Sequence, residues 1–109
     1  MTRTSTLLAG ALFAPMLLAA QQPSRPRPTF DVTETTIADI HSAMRAGTLT
    51  CRELVNAYLQ RIAAYDKNGP AINAIIVVNP AALTVADSLD RRMAAGGMVG
   101  PLHCIPMIV

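Results

Sequence analysis

From Thr36 onward the apolar positions fall into two rhythms. Ile37, Ile40 and Met44 recur at helical spacing behind Thr36, with an acid, Asp39, three residues after the hydroxyl. That is a capping box at a helix start. Gly47 follows where a left-handed C-terminal residue is wanted. Thr50-Cys51-Arg52-Glu53 is a second capping box, and it opens the strongest stripe in the chain: Leu54, Val55, Tyr58, Leu59, Ile62 and Tyr65. Asn68-Gly69-Pro70 ends it. Two helices separated by a few residues read as an αα-hairpin.

After the breaker the rhythm changes. Residues 72–78, INAIIVV, form a short apolar run rich in β-branched residues, which predicts a strand buried on both faces. Asn79-Pro80 predicts a further helix, with Asn as cap and Pro at the first helical position. Its face is Ala82, Ala86, Leu89 and Met93, and Gly96-Gly97 ends it. Gly100-Pro101 then turns the chain into Ile105, Met107, Ile108 and Val109, read as a second strand. The expected class is α/β: a helical hairpin followed by a β-α-β unit with a right-handed crossover. Two parallel strands do not make a complete sheet, so the architecture is expected to be incomplete.

The N-terminus has a different composition. Arg3 precedes a run containing Leu7, Leu8, Leu12, Phe13, Leu17 and Leu18, and Ala19-Ala20 provides small residues near a cleavage point. Residues 1–20 therefore read as a cleaved signal peptide, with a retained membrane tether or a buried apolar helix as the alternatives. Residues 21–29, QQPSRPRPT, read as a Pro-rich linker. The folded part is expected at 30–109, and the location as secreted or periplasmic.

Charge narrows the partners. Without Arg3 the balance is eight basic to seven acidic residues, and the one basic pair, Arg91-Arg92, sits in a helix's last turn. Nucleic-acid binding needs a concentrated basic stripe, which this chain lacks. No specific protein partner is identifiable. His41 and His103 lie far from each other in sequence, with no metal-ligand spacing to the cysteines, so no metal or other cofactor is expected. Cys51 and Cys104 read as two buried thiols behaving as small hydrophobes. A disulfide stays open in an oxidising compartment, although nothing in the sequence places the two within bridging distance.

Three pieces in order resemble the amidase signature family: the run from Gly47 to Ile62, Asn73 to Ile76 (NAII), and Gly100 to Pro106 (GPLHCIP). The resemblance covers about residues 31–109. It implies the N-terminal portion of a mixed-sheet α/β fold. It also implies the family reaction, hydrolysis of carboxamide C–N bonds by a Ser-Ser-Lys triad. The lysine serves as base, a bridging serine sits on a cis peptide, and the second serine is the nucleophile beside backbone oxyanion donors. It further implies that the run from Leu102 to Val109 leads into that lysine. The lysine within these 109 residues is Lys67, which reads as a solvated turn residue. Ser5, Ser24, Ser42 and Ser88 sit in the leader, the linker and two helices, and none lies in a Gly-rich turn. Catalytic residues in this chain are therefore expected to be none, and a small-molecule amide would be a substrate only of a complete parent protein. Cys104 stands where the family has glycine. Its neighbour His103, as a strand neighbour, is expected on the opposite face. The competing reading is a short non-catalytic protein, exported or tethered, that offers an open strand edge to a partner.

Overall fold

The computed structural model describes residues 29–109. The signal peptide expected at 1–20 and the linker up to residue 28 lie outside the described residues. Three α-helices order the rest: α1 (Ile37–Arg45), α2 (Cys51–Arg61) and α3 (Ala82–Gly96). A π-helical turn, Ile62–Lys67, prolongs α2.

Local chemistry sets the helix starts. The Thr36 hydroxyl accepts from the Asp39 amide while the Asp39 carboxylate accepts from the Thr36 amide, and Thr50 and Glu53 repeat the exchange at α2. Each pairing satisfies two backbone donors that a helix's first turn leaves open. Gly47, at φ 70°, closes α1 in the left-handed region. Helix α3 begins two residues later than Asn79-Pro80 implies. Asn79 folds an Asx turn onto the Ala81 amide at 2.9 Å, so helical geometry starts only at Ala82. At the other end, the Gly97 amide reaches the Met93 carbonyl at 2.9 Å.

The core gathers at the ends of the helices. Ile40 and Met44 of α1, Leu49 of the connecting turn, Cys51 and Leu54 of α2, Ala86 of α3 and Cys104 are buried together. Leu54 is completely enclosed, a burial worth roughly 1.5–3 kcal/mol. Phe30, Tyr58, Leu89 and Met93 pack around this cluster. The close helix pair is α2 with α3, rather than the α1–α2 hairpin expected from the short connection. Helix α1 instead contributes its three buried residues, Ile40, His41 and Met44.

The expected strands are not formed among the described residues. Residues 72–78 and 105–109 run without regular structure, and Ile76 and Ile108 are 95% and 82% exposed. An isolated run of β-branched residues gains strand geometry only when a neighbour takes its backbone groups. No described helix is long and apolar enough to cross a membrane.

Candidate functional site

Two polar clusters and one apolar groove carry the features of interest. The first cluster forms where the turn from Gly100 to Cys104 meets the N-terminus of α2. Cys51, the first residue of α2, is joined to Cys104 by a disulfide whose Cα atoms are 5.4 Å apart. This corrects the reading of two free thiols. Fifty-three residues separate the partners, and removing such a link costs roughly 2–5 kcal/mol. Cys104 adopts φ 63°, a left-handed conformation that glycine adopts at little cost. That backbone requirement gives a physical reason for glycine at this position in the family pattern.

The histidines are also brought together. His103 lies in the turn, not in a strand, and both His103 and Cys104 are buried. The Val99 amide donates to His103 Nδ1 at 3.3 Å, which leaves the ring proton on Nε2. Nε2 faces Cys51 Sγ at 3.8 Å. His41 of α1 donates from Nε2 to the His103 carbonyl at 2.9 Å. Sequence distance hid these contacts, because the partners lie 62 and 52 residues apart. Sγ of Cys51, Sγ of Cys104 and a nitrogen of His103 fall within 4.8 Å of one another. As a disulfide the two sulfurs are not thiolate ligands, and the ring nitrogen nearest Cys51 carries a proton, so the trio does not fit a metal in this state.

The second cluster centres on the π-helical turn. Asp66 is buried and accepts from the amides of Ala74, at 2.6 Å, and Ile75, at 3.3 Å. Lys67 Nζ approaches the same carboxylate at 3.0 Å and also donates to Asn73 Oδ1 and to the Ile75 carbonyl. Burial acts to raise the carboxyl pKa, but the hydrogen bond from Lys67 and the two amides outweigh it and hold Asp66 below 3.8. Lys67 is solvent-exposed, as expected, and its ammonium also anchors the start of the 72–78 segment.

Catalysis finds no constellation among the described residues. Ser42 is exposed on α1. The Ser88 hydroxyl donates to the Thr84 carbonyl and accepts from Arg91, a helix-surface arrangement. Between α2 and the irregular runs 72–78 and 105–109 lies an open, largely apolar groove of about 780 Å³, bordered by Tyr58, Leu59, Ile75, Val78, Met107 and Ile108. The two runs expected to pair as strands therefore face one shared hollow without joining.

No family model matches the chain. Individual relatives do. A putative amidase of Schizosaccharomyces pombe is 41% identical over 76 residues, which is 70% of this chain and 12% of that protein. The indoleacetamide hydrolase of Bradyrhizobium diazoefficiens is 35% identical over 72 residues, 65% of this chain and 13% of its own length. The native peptide amidase of Stenotrophomonas maltophilia has the same fold over 68% of this chain and 15% of its own, with a TM-score of 0.66 and 49% identity. The chain thus spans between about an eighth and a seventh of the relatives it matches. Sequence and fold together make the matched part of this chain a piece of the amidase signature family.

Proposed function

We propose that this chain is the N-terminal scaffold of an exported hydrolase that cleaves the C–N bond of small carboxamides through a Ser-Ser-Lys triad, and that the 109 residues alone are inactive. The observation that carries the reading is the joint match in sequence and fold to a peptide amidase, 49% identical at a TM-score of 0.66. The role of these residues is structural. They present an apolar groove and two irregular runs whose unpaired amides at 76–78 and 107–109 suit further strands of the family sheet. Lys67, Ser42 and Ser88 are each engaged or placed elsewhere, which supports assigning catalysis to none of them. Members of a catalytic triad act as a unit, so a chain without one loses most of the rate enhancement. The apolar leader supports export, and so does the Cys51–Cys104 disulfide, because such bonds persist in oxidising compartments.

A chimaera tests the scaffold role. Residues 30–109 replace the matching segment of the Stenotrophomonas maltophilia peptide amidase, and hydrolysis of a peptide amide is followed. Activity within about tenfold of the parent is expected; a folded chimaera devoid of activity overturns the proposal. The 109-residue chain by itself is expected to hydrolyse neither aryl nor aliphatic amides above buffer. Export is tested by the mature N-terminus: a secreted chain that retains Met1 counts against cleavage.

A further inference from the structure

We propose that the Cys51–Cys104 disulfide is a two-electron redox latch. A thiol reductant opens it at Cys104, Cys51 leaves as the thiolate, and opening releases the turn from Gly100 to Cys104 together with the face of α1 that docks on it through His41. Three observations converge. The disulfide joins the N-terminus of α2 to this turn. The same turn holds α1, because His41 donates to the carbonyl of His103 at 2.9 Å. His103 Nε2 bears the ring proton and faces the sulfur of Cys51 at 3.8 Å, so charge developing on that sulfur meets a donor already in place.

The direction of attack follows from access and charge. Both cysteines are buried, and Cys104, at 6% exposed against 1% for Cys51, is the more exposed residue of the pair. Asp90 of α3 faces the same end of α2, and its charge acts against a thiolate at Cys51. That carboxylate is occupied by the amides of Cys51 and Arg52, at 2.7 and 3.1 Å. The Arg52 guanidinium is turned to Asp87, and the Glu53 carboxylate to Thr50. The donor directed at the Cys51 sulfur is therefore His103.

The exchange balances as follows. A reductant thiolate forms a bond to Cys104 Sγ, the protein S–S bond breaks, and its electron pair goes to Cys51 Sγ. A second reductant thiolate attacks the reductant sulfur of the mixed disulfide and expels the Cys104 thiolate. Two reductant thiols become one disulfide, and their two protons end on Cys51 and Cys104.

The test uses the oxidised 109-residue chain in glutathione buffers of graded ratio, quenched with acid and mapped by mass spectrometry. Glutathione is expected on Cys104 in at least tenfold excess over Cys51, and the variant His103→Phe is expected to lose that preference. Glutathione on Cys51, or on both equally, overturns the assignment. Hydrogen exchange on the unmutated chain gives a second readout that does not depend on the variant folding. Reduction is expected to speed exchange at Ile40 to Met44 at least tenfold while the interior of α2 changes less. Unchanged exchange, or equal acceleration through α2 and α3, overturns the latch.

Discussion

Asp90 of α3 accepts the Cys51 amide at 2.7 Å, and its other carboxylate oxygen accepts the Arg52 amide at 3.1 Å. A side chain 39 residues away in sequence thus completes the N-terminus of α2. The Thr50 hydroxyl accepts the Glu53 amide, and Asp90 takes the Cys51 and Arg52 amides that the local box leaves open. It also places negative charge at the positive end of the helix and ties α2 to α3.

Replacing Asp90 by Ala should cost about 1–2 kcal/mol of stability, the range for losing a helix cap. Asp90→Asn keeps an acceptor and should cost less. Denaturant midpoints of the two variants, compared at equal slope, check the order.

Asp66 should govern acid stability. Its folded pKa lies below 3.8, so its contribution is complete above that value and is lost as pH falls through the folded value. Melting temperature should therefore drop as pH falls below about 4. In Asp66→Asn that acid-side drop should flatten, while residues 72–75 loosen at neutral pH because two amide contacts weaken. A pH series of thermal melts on both proteins decides the matter.

Hydrogen exchange should divide the chain sharply. The interiors of α2 and α3 should exchange slowly. The amides of Ile76 to Val78 and Met107 to Val109 have no partner among the described residues and should exchange fast. Residues 73–75 should fall between, held by Asp66. Strong protection at 76–78 and 107–109 in a monomer would show that strands form within the short chain, in favour of a self-sufficient non-catalytic protein.

Two glycines should respond unequally to Ala. Gly47 and Gly69 both have positive φ, so each substitution carries a left-handed cost of about 1–2 kcal/mol. A Cβ at Gly47 meets open space, whereas one at Gly69 comes within 2.8 Å of the Ala64 carbonyl oxygen. Gly69→Ala should be the more destabilising, as read from denaturant midpoints.

Sequence alone determined that three helices form, and it determined the N-caps of α1 and α2, because the information is local. Thr36 with Asp39, Thr50 with Glu53, and the glycines at 47 and 97 act within four residues of the backbone they satisfy. The family was legible for a related reason: its motifs are contiguous runs, and the relatives and the shared fold bear them out. Only the tertiary structure decided which distant groups meet. The Cys51–Cys104 bond, the His41–His103 contact and the Asp90 cap span 53, 62 and 39 residues, and no periodicity encodes a meeting of that kind. The strands expected at 72–78 and 104–109 are absent among the described residues. Their apolar runs record a preference for burial, but a strand exists only when a neighbouring backbone accepts its hydrogen bonds, and none does so among the described residues.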